Sequence, residues 1–170
     1  GYTGSFYKYQ GIDYILNSAK KVSKKYPNVK YFIIGNGTLQ EKNELITKIN
    51  ELKLNKFVKL FGPLIHDKVI EYIKSFDICL CYPTSFRDDV TSPFKLYEYL
   101  AANKAVICSN IKGIRKTFGN NILYAKPENT EDLTRKINYL ISNEKARKKL
   151  ESKGIKYILN GHTWDDVTKK

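Results

Sequence analysis

The residues best suited to chemistry in this chain lie between positions 84 and 98. Residues 84–92 (TSFRDDVTS) form a polar, irregular stretch carrying Arg87, Asp88 and Asp89. They feed a segment that opens Ser92-Pro93-Phe94-Lys95 and reaches Glu98 one turn later. Pro93 suits a helix start because its missing N–H is one of the first-turn orphans. Ser92 is then placed to cap it. Lys95 and Glu98 are three apart, so on a helix they share a face near its N-terminus. Free amides and a cation there can hold phosphates, while the carboxylate accepts hydrogen bonds from sugar hydroxyls. The same pair could be an exposed ion pair of little worth. Tyr97, Tyr99, Leu100, Ala101 and Ala102 surround Glu98, and a carboxylate buried among them needs a partner.

Three other stretches could carry chemistry. Gly4-Ser5-Phe6-Tyr7-Lys8-Tyr9-Gln10-Gly11 is glycine-bearing, yet it matches neither GxGxxG nor a P-loop. Gly4 permits a close backbone approach, the following helix offers N–H groups to a phosphate, and Lys8 supplies charge. An ordinary strand-to-helix turn would read the same way. Gly35-Asn36-Gly37 admits a ligand against the backbone or is simply a turn. His66, after Gly62-Pro63, reads first as a helix start, with Asp67 favourable in the first turn, and only second as an acid–base group. His162 lies in the polar tail.

The elements that must position these residues alternate regularly. Strands are expected over 1–7, 29–35, 57–61, 77–82, 105–109 and 121–125. Helices are expected over 11–26, 39–53, 66–75, 93–103, 111–118, 130–142 and 144–159. Ile12, Ile15, Leu16, Ala19 and Val22 show the helical period. The strands are continuous apolar runs, such as YFIIG and AVICS, rather than in–out patterns. Both features point to a parallel sheet buried on two faces. The fold class is therefore α/β, a Rossmann-like parallel sheet of about six strands with helices on both faces, in one domain. Open sheets of this kind bind ligands at the carboxyl ends of their strands, where all the candidates but His162 lie.

With 170 residues and 42% hydrophobic content, the chain can bury a core without staples. Its net charge of +13 favours anionic partners. The densest basic stretch, 144–156, reads as a lysine-rich solvent face or as a weak attraction to an anionic membrane surface. No zinc spacing, aromatic strand pair or helix-turn-helix signal supports nucleic-acid binding. Cys79, Cys81 and Cys108 lie in apolar runs and fit a reducing compartment, so a cytoplasmic location is expected. No apolar run approaches the roughly eighteen residues of a membrane span. The chain has no methionine and starts at Gly1, which raises the expectation of an excised piece of a larger protein.

Residues 92–108, SPFKLYEYLAANKAVIC, resemble the nucleotide-sugar-binding segment of GT-B glycosyltransferases of family GT4, the glycosyl transferases group 1. DICLCYP resembles the strand leading into that site, and GSFYKYQGIDYIL the family's first loop and helix. YFIIGNG, KFVKLFGPLIHDKVIEYI and the tail GHTWDDVTKK match further segments in order. The resemblance implies one half of a GT-B fold. It is the C-terminal domain, which binds a nucleoside diphosphate sugar such as a UDP- or GDP-sugar. An N-terminal domain absent from this chain would carry most acceptor contacts, and the tail would cross back towards it.

By the same resemblance Glu98 matches the second glutamate of an E-x7-E motif and would bond the ribose. The first falls on Val90, leaving Asp88 or Asp89 as substitutes. The family's phosphate-binding arginine and lysine fall on Ser5 and Gln10, so Lys8 and Lys95 are the nearest cations. Gly4 matches the glycine that lets the donor approach, and Phe61 and Gly62 the backbone beside the base. The implied activity moves a hexose-like sugar to a glycan or lipid-linked acceptor, as in polysaccharide biosynthesis, with retained configuration. No cofactor and no metal are expected. Alone, the domain would bind nucleotide weakly and catalyse little. Ser5, Gln10 and Val90 keep open a non-catalytic, degenerate GT-B module serving as a scaffold; an epimerase of the same architecture is a further alternative.

Overall fold

The computed structural model describes residues 1–87, 93–163 and 166. Among these residues the strands are β1 (Tyr2–Ser5), β2 (Tyr31–Asn36), β3 (Val58–Phe61), β4 (Ile78–Cys81), β5 (Ala105–Ser109) and β6 (Leu123–Ala125). The helices are α1 (Ile12–Lys25), α2 (Leu39–Glu51), α3 (His66–Ser75), α4 (Phe94–Ala101), α5 (Lys112–Phe118), α6 (Thr130–Ser142) and α7 (Glu144–Leu159). Single 3-10 turns occupy Lys8–Gln10 and Ser85–Arg87.

Every strand pairing is parallel, in two three-stranded sheets ordered β1-β2-β3 and β4-β5-β6. Gly1 joins them: its nitrogen donates to the Ile78 carbonyl at 2.6 Å, and Leu80 N donates to the Gly1 carbonyl at 2.8 Å. Beyond that point the ladder stops. Thr3 N donates instead to the Tyr99 hydroxyl at 2.8 Å, and Thr3 Oγ1 lies 3.0 Å from the same oxygen. Tyr99, fully buried, is thus a wedge that parts β1 from β4. A buried amide needs a partner, and the phenol supplies one that a neighbouring strand otherwise would. The sequence reading of one sheet of about six strands becomes two half-sheets divided at this wedge.

Strand alternation sends Ile33, Leu80 and Ile107 to one face, where α1, α2 and α6 cover them with Ile15, Leu16, Leu45 and Leu133. Ile34, Cys81 and Val106 face the other way, under α3, α4 and α5, with Ile73, Leu96 and Ile114. Helix α7 spans both layers. Ala146 and Leu150 pack on the first, whereas Ile158 joins the second. Gly154 makes that crossing possible, since a Cβ there would stand 2.5 Å from Leu100 Cδ2.

Local signals account for the ends of elements. Thr38 and Glu41 form a reciprocal capping box on α2, with Glu41 N donating to Thr38 Oγ1 at 3.2 Å. Helix α4 stops at Ala101 rather than at 103, because Asn103 takes a left-handed φ of 56° and Lys104 N returns to the Tyr99 carbonyl. Pro93 stands at the N-cap of α4, one place before the first helical residue, and the expected Ser92 cap lies outside the described residues. In the tail His162 stacks on Tyr157 with ring centroids 3.9 Å apart. Trp164 lies outside the described residues. The three cysteines are free and buried.

Candidate functional site

Where Tyr99 parts the half-sheets, the carboxyl ends of β1 and β4 open into a cleft of about 600 Å³. Strand order reverses at this point, which is where open α/β sheets leave room for a ligand. Gly4 and Gln10 line it from the β1 side, Leu64 from the loop after β3, Cys81 and Pro83 from β4, and Lys95 and Glu98 from α4.

Lys95 occupies the middle. Its Nζ donates to Gln10 Oε1 at 3.0 Å and to the Tyr2 hydroxyl at 3.3 Å, and it sits 4.4 Å from the centroid of the Tyr2 ring. Burial pulls this ammonium below the ordinary lysine value, opposed by the Cys81 and Cys108 sulfurs and the Glu98 carboxylate. Directly beneath is Gly4, with φ at 136°, where a Cβ would stand 2.5 Å from Lys95 Nζ. The positive φ favours glycine, and any larger residue would push the Lys95 ammonium aside. Gln10 Nε2 donates in turn to Ser5 Oγ at 3.3 Å. Ser5 and Gln10, the neutral residues in the loop positions where the resemblance places cations, therefore form a chain ending on the cation delivered by α4.

Glu98 lines the same cleft one turn further along. It does not pair with Lys95: its Oε1 lies 4.0 Å from Nδ1 of His66, the first residue of α3. The exposed Lys95–Glu98 ion pair considered above is thus replaced by two separate contacts, Lys95 turning inward to Gln10 and Glu98 outward to His66.

The cleft brings Gly4, Lys95 and Glu98 together and leaves the other candidates aside. Phe61 is committed to packing, its ring stacked on Phe32 at 6.0 Å and 5.0 Å from Tyr72. The chain reaches the cleft from β3 through Leu64 and the neighbouring Pro63, not through Phe61 or Gly62. Lys8 is exposed and faces a second cleft beside the first. Asp88 and Asp89 lie outside the described residues. Sequence reasoning passed over Tyr2 and Tyr99. The signal for Tyr99 was there, a tyrosine inside an apolar helix, since a buried hydroxyl has to find a partner.

The chain matches the family described as Glycosyl transferases group 1 over residues 1–157. The Uncharacterized glycosyltransferase MJ1178 of Methanocaldococcus jannaschii is 26% identical over 158 residues, covering 92% of this chain and 42% of that protein. The chain thus spans less than half the length of that curated relative. The C-terminal domain of the Glycosyl Transferase Group 1 Family Protein LpcC from Francisella tularensis superposes with a TM-score of 0.79 at 22% identity, covering 96% of this chain and 86% of that one. A point mutant of S. aureus TarM, in complex with Fondaparinux, alpha-GlcNAc-glycerol and UDP, gives a TM-score of 0.83 at 19% identity, over 99% of this chain and 34% of that one. These likenesses establish a shared fold.

Proposed function

The chain belongs to the glycosyl transferases group 1 family, and from that membership we propose that its cleft binds a nucleoside diphosphate sugar as the donor half of a transferase. The whole enzyme would move a hexose-like sugar to a glycan or lipid-linked acceptor, with a further domain outside this chain closing over the site. The observation that carries the reading is Lys95 Nζ poised over Gly4 where β1 and β4 part, with Glu98 one turn along the same helix. UDP in the complex of the fold neighbour TarM supports it.

In this reading Glu98 accepts from the ribose hydroxyls, and Gly4 lets the diphosphate lie against the backbone under Lys95. The acceptor oxygen bonds to the anomeric carbon, and the bond from that carbon to the β-phosphate oxygen breaks with its electron pair going to the phosphate. The acceptor proton passes to the departing nucleoside diphosphate. Charge therefore grows on the phosphate, where Lys95 and the N-terminal end of α4 are already placed to stabilise it. No cofactor or metal enters this scheme.

Among the described residues no helix is long and apolar enough to cross a membrane. The exposed Lys145, Lys149, Lys153 and Lys156 on α7 support contact with an anionic membrane face.

Calorimetric titration with UDP, GDP and their common sugar conjugates tests the donor reading. Saturable binding of one nucleotide, competed by its sugar conjugate, is expected. If none of them binds, the donor reading fails and a scaffold role takes its place.

A further inference from the structure

We infer that Cys81 is a modification site, a thiol in the wall of the cleft that a hydroperoxide oxidises and that Cys108 then closes into a reversible disulfide. The inference stands on the cleft itself and goes beyond the donor reading, which enters only one arm of its test. Cys81 ends β4 and lines the cleft together with Lys95. Cys108 is its direct partner across the parallel ladder to β5 and is fully buried. Adjacent strands hold such partners roughly 4.8 Å apart, inside the range of about 4.4–6.8 Å between Cα atoms that a disulfide spans.

The three cysteines divide by environment. The Cys108 thiol donates a hydrogen bond to the Cys81 sulfur and draws the Cys81 pKa down against the opposing effect of burial, and the Lys95 charge draws it further. Burial, and then the same hydrogen bond, push the Cys108 thiol well up. Cys79 lies two residues earlier on the same face of β4, is paired with Val106 and does not reach the cleft. Burial pushes its thiol up to about 12. The thiolate is the nucleophilic form of cysteine. One sulfur thus carries charge at the cleft, its neighbour keeps a proton, and the third is a plain buried thiol. The first two are arranged as an attacking and a resolving cysteine.

With hydrogen peroxide the Cys81 thiolate attacks one peroxide oxygen. The S–O bond forms as the O–O bond breaks, and the electron pair leaves on hydroxide, which takes up a proton to become water. Sulfur is oxidised to a sulfenic acid and the peroxide is reduced. Cys108 then gives up its proton and its sulfur bonds to that of Cys81. The S–O bond breaks, and hydroxide leaves with the proton as a second water. Two thiols and one peroxide therefore yield one disulfide and two waters. A diphosphate on Lys95 would cover the same wall, so the empty cleft reacts and the loaded one is shielded. Transient, redox-sensing disulfides of this kind are compatible with a reducing compartment.

The 170-residue chain is treated with hydrogen peroxide, alkylated under unfolding conditions and mapped by peptide mass spectrometry. A Cys81–Cys108 disulfide that dithiothreitol reverses is expected, with Cys79 still alkylated. Cys79→Ala should form the same disulfide, and Cys108→Ala should stop at a Cys81 sulfenic acid that dimedone traps. Saturating UDP, its binding verified by calorimetry, should slow the oxidation several-fold. Three thiols that stay reduced would overturn the inference, as would Cys79 oxidising as fast as Cys81, a Cys81 sulfenic acid that persists beside a free Cys108, or bound UDP that gives no protection. If UDP does not bind, the donor reading falls, and the reaction without nucleotide still decides for or against the thiol pair.

Discussion

Replacing Lys95 removes one phosphate bond, and the geometry says why only one. An ammonium carries three protons. Gln10 Oε1 at 3.0 Å and the Tyr2 hydroxyl at 3.3 Å take two, leaving the third for the diphosphate. Both existing contacts can persist in the complex, so nothing is traded away. A charge-assisted hydrogen bond is worth about 1.5–3 kcal/mol net, and an open cleft pushes that towards the lower end. Lys95→Ala should therefore cost nucleoside diphosphate affinity about 1–3 kcal/mol, roughly five- to 150-fold in Kd. Uridine or guanosine, which lack the phosphates, should lose far less. Lys95→Met, which keeps the aliphatic stem over Tyr2, should match Lys95→Ala and separate charge from packing. Lys8→Ala should leave both affinities nearly as they were. A pH series adds an independent readout. Burial lowers the Lys95 pKa, and a bound diphosphate raises it, so binding takes up a proton once the pH passes the free-site value. Affinity should fall with rising pH, beginning below the ordinary lysine range, and Lys95→Met should abolish that slope. Unchanged diphosphate affinity in Lys95→Ala, or an equal loss for the nucleoside, would refute the phosphate role.

Glu98→Gln should weaken nucleoside binding by about 1.5–3 kcal/mol while leaving the thermal midpoint nearly unmoved, because its contact with the exposed His66 is worth little; calorimetry beside a melt separates the two. Gly4→Ala should cost stability by about 1–3 kcal/mol from its φ of 136° and weaken UDP binding by up to as much as Lys95→Ala does as the new methyl displaces Lys95, checked by urea unfolding and titration. Tyr99→Phe should destabilise the fold by about 1–3 kcal/mol, because Thr3 N loses its buried partner; an unchanged urea midpoint would count against the wedge. Burial works against ionising Asp132, but the Lys126 amide at 2.7 Å and the Arg135 guanidinium outweigh it and hold the carboxyl below the ordinary aspartate range. A depressed carboxyl stabilises fully above its unfolded-state pKa and loses that contribution as the pH falls through the folded value. Asp132→Asn should thus lower stability at neutral pH and flatten its acid limb, read from urea midpoints across pH.

Much of this architecture is legible in the residues alone. The runs at 105–109 and 130–142 became β5 and α6 with those bounds, because a fully buried strand and an amphipathic helix each leave an unmistakable apolar pattern. Gly4, Lys95 and Glu98 were readable as a group, since all sit at strand carboxyl ends. The parting of the sheet was not readable. It depends on one hydroxyl of α4 meeting an amide 96 residues away, and no local pattern encodes that meeting. Lys95, near a helix start, already reads from sequence as a stronger phosphate cation than Lys8, whose loop must first be ordered. Only the fold shows the helix aiming Lys95 inward onto Tyr2 while the turn of Lys8 faces a different cleft. The resemblance put the backbone of Phe61 and Gly62 beside the base, whereas the cleft is lined by the next two residues, Pro63 and Leu64, a shift of register that no local pattern encodes.

The path of α7 bears on how the chain folds during synthesis. One helix fastens both faces of the sheet, through Ala146 and Leu150 on one side and Gly154 and Ile158 on the other. Its sixteen residues follow every strand in the chain. A chain emerging N-terminus first therefore has all six strands outside the ribosome before either layer has its last cover. Until α7 docks, the flank of Leu100 that Gly154 covers stays open to water, an apolar edge exposed to misassociation. The late helix is thus the step that seals both layers at once.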